Sequence, residues 1–502
     1  MQLYIKLKKI AASTIILLVA GACTDNFEEL NTNPALLTED VVQPPTLFTN
    51  VLKNSIYATF SPARIHEFSG YYGNQATGNI LAVSDYTSPF NNYRTYIINL
   101  SEVIRLTADD PSLNDQNAMA RIMKVWNYHI MTDAYGDIPY SEAARPVTEV
   151  INQPVYDTQH DIYIDMLNEL KEAAAQLGSQ GDQISFGAAD ILYQGDVDNW
   201  KKFANSLRFR LANRVRFVDQ TLAAQHISEV INALLIDENS ENASLVTLQP
   251  SATENSANVN PVYNRYIGAT TDIFVGLPVT DIMAPADDPR LPLFAGPIAD
   301  GVSFRGRPIQ LLQEEKDSYL DANVSAVGPI LKAQTVEIII MNAAEVYFLR
   351  AEAALANITS EDEAELFSLG IQRSMEQYGV DPADIATFMA QPLATLSGTG
   401  EAQLEQIITQ KYAAIFFQAY EAWAEFRRTG YPKIWVGSEL GVTNGQIPRR
   451  LTYPSDEYLK NKNNITTAVA RLGSDALMTR IWWDVRPGLP YAHPLQGTFP
   501  PN

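Results

Sequence analysis

The chain has almost none of the residues that bind metals or cross-link exported proteins. Cys23 is the only cysteine in 502 residues. One thiol closes no internal disulfide and builds no Cys-based zinc or redox centre. The five histidines, His66, His129, His160, His226 and His493, are scattered, and none belongs to an HExxH pair. There is no P-loop and no GxSxG elbow, and Gly398-Thr399-Gly400 lacks the third glycine of a dinucleotide turn. No catalytic residue, metal or cofactor is therefore expected. Positive charge is also short: 36 basic against 58 acidic residues give a net −22. Such a surface repels nucleic acid and anionic headgroups. Downstream of the N-terminus no long apolar run occurs. The densest point, Ile338-Ile339-Ile340-Met341, is flanked by Glu337 and Glu345, and the ten-residue alternation of barrel strands is missing.

What is present begins at the N-terminus. Lys6, Lys8 and Lys9 precede an apolar and small-residue run from Ile10 to Ala22. In a helix that run reaches only about 20 Å, short of a bilayer core of roughly 30 Å, and the layout is that of a secretory signal peptide. It ends in Val19-Ala20-Gly21-Ala22-Cys23, which resembles a lipobox with Ala20 where leucine is usual. Residues 1–22 are read as a lipoprotein signal peptide and Cys23 as the lipid attachment site. Residues 23–45, with Asn31, Asn33, Pro34, Pro44 and Pro45, are read as a lipid-anchored tether, and 46–502 as one domain. Cleavage removes three lysines and no acid, so the mature chain is more negative still. More than one acyl chain, as bacterial lipoproteins carry, gives stable tethering through the N-terminal lipid alone.

Helical spacing dominates the rest. In 117–134, Met119, Ile122, Met123, Trp126 and Ile130 share a face that ends at Gly136-Asp137-Ile138-Pro139. In 200–218, Trp200, Phe203, Leu207, Leu211 and Val215 do so, with Arg208, Arg210, Arg214 and Arg216 around them. A third helix is expected over 338–356, where Ala343, Ala344, Ala351 and Ala354 let a neighbour approach closely. A fourth is expected over 403–427, through Ile408, Tyr412, Ile415, Phe416, Trp423 and Phe426. Trp126, Trp200 and Trp423 read as core. Of Trp482 and Trp483, adjacent in an extended segment, one is expected inside and one outside. No regular repeat is present, so any helical repeats are irregular. Long irregular stretches at 60–95, 251–330 and 436–502 separate the helices, and loops of that size tend to carry function.

Several segments together resemble a known family. They are Cys23-Thr24-Asp25-Asn26-Phe27 through Asn33-Pro34, Thr132-Asp133-Ala134-Tyr135-Gly136-Asp137-Ile138-Pro139-Tyr140, and Trp200-Lys201-Lys202-Phe203-Ala204-Asn205. Ala344-Glu345-Val346-Tyr347-Phe348-Leu349-Arg350-Ala351-Glu352, Glu421-Ala422-Trp423, Arg427-Arg428-Thr429-Gly430-Tyr431-Pro432, Ile447-Pro448-Arg449-Arg450-Leu451 and Trp482-Trp483-Asp484 follow in order. The ordered set resembles the SusD/RagB-type nutrient-binding lipoproteins of the Bacteroidetes outer membrane. The resemblance implies a mainly α fold: irregular tetratricopeptide-like helix pairs form a scaffold, with long loops and minor strands on one side. It also implies an outward-facing protein that delivers an oligosaccharide, or in some members a peptide, to a SusC/RagA-type TonB-dependent barrel.

Sugar rings stack an apolar face on aromatic side chains while Asn and Arg reach the hydroxyls. Tyr71, Tyr72, Tyr86, Tyr93, Tyr263 and Tyr266, with Asn92 and Arg305 as hydrogen-bond donors, are therefore the expected ligand-binding residues. Most of the 24 tyrosines will nonetheless be structural. The Arg427-Arg428 and Arg449-Arg450 pairs read as partners of acids, which outnumber the bases heavily, rather than as an anion site. Asp109-Asp110 and Asp287-Asp288 lack EF-hand spacing. A surface glycan hydrolase would need two carboxyls flanking the scissile bond, and no sequence feature marks such a pair. A plug for the barrel with no ligand of its own is a third reading.

Overall fold

The computed structural model describes residues 43–494 apart from 61–63, 74–88, 146–150, 252–255, 264–272, 312 and 437–442. Cys23, the signal peptide and nearly all of the tether lie outside the described residues. No helix among the described residues is long and apolar enough to cross a membrane.

Helices pair in chain order, as irregular tetratricopeptide-like repeats require. α1 (Pro44–Phe60) and α2 (Arg64–Phe68) lead in; α3 (Ile98–Thr107) packs on α4 (Asn114–Tyr135). α4 packs on α5 (Gln159–Gln176), α5 on α6 (Val197–Val215), and α6 on α7 (Gln220–Val230). α8 (Leu277–Met283) lies in the loop layer. α9 (Ala343–Leu355) pairs with α10 (Glu363–Gln377), beside α11 (Pro382–Met389) and α12 (Gly400–Ala414). α13 (Ala419–Thr429), α14 (Ser455–Lys460) and α15 (Lys462–Leu472) close the chain. Polar side chains set the starts: Thr158, Asp196, Asn342 and Asp362 accept backbone N–H groups of the first turns of α5, α6, α9 and α10. α13 stops where Gly430 turns left-handed at φ +85.

Two expected helices differ from the structure. Residues 337–341 form a strand, β4 (Glu337–Met341), antiparallel to β3 (Ala243–Val246), and the helix starts only after Asn342. Three consecutive β-branched isoleucines favour the pleat, and Ile338 and Ile340 face inward while Glu337 is exposed. The helix expected over 403–427 is two, α12 and α13, broken where Phe417 adopts φ +77. The break lets Phe416 and Phe417 turn into a ring cluster with Phe60, His66, Tyr72 and Phe294.

The core has two main parts. The larger gathers Phe48, Trp126, Trp200, Trp423 and Trp483 around α1, α4, α6 and α13; Trp482, its neighbour, is half-buried. The second lies between α9, α10 and α12, where Ala344 and Ala351 are fully buried against Phe348, Phe367 and Ile371. Gly370 sits here for want of space: a Cβ would lie 2.8 Å from the Phe348 ring.

Charge is built into the scaffold as well. Arg210 on α6 pairs with Glu345 on α9 (2.7 Å), and Arg214 with Glu421 (2.5 Å) and Glu425 (2.6 Å) on α13. Lys411 on α12 lies 3.4 Å from both Glu345 and Glu421. Arg428 holds Glu352 (2.5 Å) and Glu425 (2.6 Å), and Arg216 holds Glu352 (2.7 Å). Burial alone would raise the carboxyls of Glu421 and Glu425. Arg214, Arg210 and Lys411 instead hold Glu421 at about 2, and Arg428, Lys411 and Arg214 hold Glu425 lower. Arg449 and Arg450 pair with Asp484 and Asp475 as expected of them. Arg427 differs: it donates to the carbonyls of Asp133 and Arg449 and lies over the Trp423 ring. Asp288 serves Arg290 (2.5 Å), and Asp110 caps the turn at 111–113.

Candidate ligand-binding site

The loop side is joined by isolated β-bridges. Tyr72 pairs with Val275, Gly276 with Arg307, Phe274 with Ala326, and Ala295 with Val327. The loop regions 60–95 and 260–320, which carry the candidate residues, are thus joined through Tyr72 and Val275. Their approach is tight: a Cβ on Gly276 would lie 2.0 Å from the Gly70 carbonyl oxygen. That tightness turns the first two candidate tyrosines inward. Tyr71 has 0% exposure and donates its hydroxyl to the carbonyls of Tyr412 (2.9 Å) and Ile415 (3.0 Å). It has no face left for a ligand. Tyr72, 5% exposed, stacks on His66 and meets Phe417 edge-on. Arg305 spends its guanidinium on the Ser318 carbonyl (3.0 Å) and the Tyr319 ring (4.2 Å). The Tyr263 hydroxyl accepts from Gln334 (3.0 Å) at the edge of the same layer. Tyr86 and Tyr266 lie outside the described residues.

Tyr93 is placed elsewhere, lining an open cleft of about 470 Å³. One wall is aromatic. Phe90 and Tyr93, both half-buried, meet edge-on (5.1 Å), and Phe90 also meets Tyr135 at 89°. The Tyr93 hydroxyl donates to the Pro139 carbonyl, which fixes the ring, and Asn92 is buried beside it. Burial raises the Tyr93 phenol well above its usual range, so it stays a donor.

The second wall is the chain leaving α4. Gly136, at φ +89, turns it into β1 (Ile138–Pro139), which pairs with β2 (Tyr156–Asp157). Asp157 accepts the N–H groups of Tyr140 (3.0 Å) and Ser141 (2.8 Å), which shapes the turn carrying Ala143 and Ala144. Ile151, Asn152 and Pro154 continue this wall. The third wall is α14 and its flanks: Pro454, Ser455, Asp456, Glu457, Lys460 and Asn461. Asn461 donates to the Pro154 carbonyl (2.8 Å), and the Tyr156 hydroxyl donates to Glu457 (2.8 Å), so the second and third walls hold each other.

Of the eight candidates, only Tyr93 lines this cleft among the described residues; Asn92 is buried behind it. The residues of 139–154 and 454–461 were not anticipated. The signal for them was weak: the 454–461 segment falls in the long Pro- and Asn-rich stretch from 436, and 139 ends a helix-stopping motif. Chemically, the cleft offers ring faces opposite amides, a hydroxyl, carboxylates and one amine. No group of three or more His, Cys, Asp or Glu able to hold a metal is present among the described residues.

The sequence profile of the SusD-like family described as starch-binding and associating with the outer membrane matches residues 35–454. Among curated proteins none matches. Among solved structures, a chitin-binding protein is 27% identical with a TM-score of 0.78, covering 88% of this chain and 100% of its own. A chitin-binding SusD homolog from Flavobacterium johnsoniae is 26% identical, TM-score 0.71, over 88% of this chain and 98% of its own. A SusD homolog from Bacteroides uniformis is 25% identical, TM-score 0.74, over 88% and 99%. The fold of helix pairs and the length of the match lead to one conclusion: this chain belongs to the SusD-like family.

Proposed function

We propose that the protein is an outward-facing lipoprotein of the outer membrane, anchored at Cys23, with residues 1–22 removed and 23–45 as its tether. It captures an oligosaccharide in the cleft and hands it to a SusC/RagA-type TonB-dependent barrel. The observation that carries the reading is the cleft itself: about 470 Å³, lined by Phe90 and Tyr93 together with Asn152, Ser455, Asp456 and Glu457. That volume and mixture suit a sugar ring or two. The family description and the two chitin-binding relatives support the ligand class.

A binder rather than a hydrolase fits the walls. Glycoside hydrolysis needs two carboxyls on either side of the bond, roughly 5–9 Å apart. Asp456 and Glu457 are consecutive on one wall, and no acid stands opposite among the described lining residues.

The test is titration calorimetry against a panel of N-acetylglucosamine, α-glucan and β-glucan oligosaccharides and of short peptides, with reducing ends assayed in parallel. Saturable binding of a glycan without new reducing ends is expected. Binding of peptides only, or release of reducing ends, contradicts the reading. For the anchor, Cys23→Ala should move the protein to soluble fractions in cells lacking the barrel; retention in the outer membrane there argues against lipid as the tether.

A further inference from the structure

We infer that the cleft selects its oligosaccharide by charge, admitting neutral and amino sugars and rejecting glycans that carry uronate or sulfate. This rests on the oligosaccharide reading and names the class within it.

The polar side chains around the cleft are not balanced between donors and acceptors. Asn91, Asn152 and Asn461 serve as either, and Asn461 is already committed to Pro154. The charged groups decide the sign. Asp456 and Glu457 both line the cleft, and Lys460 is the one cation among the described lining residues. Lys460 is not poised for an incoming anion, because it already lies 2.6 Å from Asp456. Glu457 accepts from the Tyr156 hydroxyl through Oε2, and its second oxygen meets no donor among the described residues. That oxygen is an acceptor for a sugar hydroxyl or ammonium.

Behind the walls the sign is the same. Asp157 and Glu142 hold backbone N–H groups of Tyr140, Ser141 and Val155, and Asp137 pairs with Arg471. Arg471 is further engaged by the Tyr156 carbonyl, and Arg145 sits on the Ser141 carbonyl. Neither guanidinium belongs to the cleft lining. The chain as a whole, at −22, adds a field of the same sign. Within a Debye length of about 8 Å at physiological salt, a ligand in the cleft feels the lining carboxylates directly. A uronate ring would need to strip water from a carboxylate beside two others, with no guanidinium among the described lining residues to receive it. A glucosamine ammonium would meet acceptors.

The experiment compares three hexamers by calorimetry at pH 6 and 50 mM salt: N-acetylglucosamine, its fully de-N-acetylated form, and galacturonic acid. The expected order is de-N-acetylated at least as tight as neutral, by about two- to fivefold, since exposed pairs contribute modestly. Galacturonate should bind at least about tenfold more weakly than the neutral hexamer, or not at all. In the double variant Asp456→Asn/Glu457→Gln the ratios of the de-N-acetylated and galacturonate affinities to the neutral one, measured in that same variant, should collapse towards one, both amides keeping an acceptor oxygen but no charge. Lys460→Gln should widen the preference. Circular dichroism and denaturation establish that each variant is folded. Equal binding of all three hexamers, tight galacturonate binding, or a preference unchanged in the double variant overturns the inference and leaves the oligosaccharide reading standing. Binding of some other panel glycan but none of these three also overturns it alone. No glycan binding at all removes both.

Discussion

Two regions of this molecule are rich in charge, and they use it in opposite ways. Between α6, α9, α12 and α13 the charges are buried and closed on one another: Glu352 is 1% exposed with Arg428 and Arg216 on it, and Arg428 is 0% exposed. Around the cleft, Asp456, Lys460 and Asn152 are exposed, and the Asp456–Lys460 pair lies in solvent. A buried pair is costly to break, because removal of one partner strands the other in low dielectric; an exposed pair is worth little. The same residue types therefore fix helices in one place and stay available to a ligand in the other.

The sharpest way to break this contrast is Arg428→Ala. It leaves buried Glu352 with Arg216 alone and takes one of the cations from Glu425, and should cost about 3–5 kcal/mol by denaturant unfolding. The folded fraction should keep its oligosaccharide affinity. Ala351→Asp, which puts a charge at a fully buried helix contact, should cost about 3 kcal/mol or more. Wild-type stability in either variant would mean that the network or the α9–α10 contact is looser than described. Gly370→Ala comes next, at about 1–3 kcal/mol, since its Cβ would press on the Phe348 ring.

A pH series sharpens the comparison further. Burial holds His66 and His129 at about 3 and His226 at about 4; Arg208, 2.8 Å from the His226 Nδ1, adds to the last. These rings are neutral in the folded protein, whereas unfolded histidine titrates near 6.5. Protonation thus favours the unfolded chain: their contribution is complete above about pH 6.5 and is lost as pH falls towards 3. Glu421, held at about 2, contributes above about pH 4.5 and is lost below that. The melting temperature should fall first between pH 6.5 and 4.5, through the histidines, and more steeply below. His226→Gln should flatten the first phase. A melting temperature constant from pH 7 to 4.5 would contradict the burial of these rings.

Much of the scaffold was readable from spacing alone, because α4 and α6 carry uninterrupted apolar faces with capping or stopping residues at their ends. The pairing of Arg428, Arg449 and Arg450 with acids followed from the excess of carboxylates. The strand at 337–341 was hidden because a run of isoleucines satisfies a helical stripe as well as a pleat, and its partner, 243–246, lies nearly a hundred residues away. The break at Phe417 was hidden because apolar residues continue through it in register. The site was less legible. Tyr71 and Tyr72 carry the same local signature as a binding tyrosine, and only their burial, with the Tyr71 hydroxyl on the Tyr412 and Ile415 carbonyls, shows that they face the core. The third wall of the cleft comes from residues more than 350 positions after Phe90, and no local pattern announces that meeting.

The central claim is that ligand capture lies in the cleft and stability in the ion-paired core. It is tested most directly by measuring affinity and unfolding on the same samples of Phe90→Ala, Asn152→Ala and Arg428→Ala, with a glycan that binds the unaltered protein. Loss of a stacking ring at a binding surface typically costs about 1–3 kcal/mol, or roughly tenfold or more in Kd. The account predicts that weakening for Phe90→Ala and a smaller one for Asn152→Ala, both in stably folded protein, and unchanged Kd with large destabilisation for Arg428→Ala. Unchanged affinity in both cleft variants, with binding abolished by Arg305→Ala in a folded protein, would place capture in the bridged loop layer instead and contradict it.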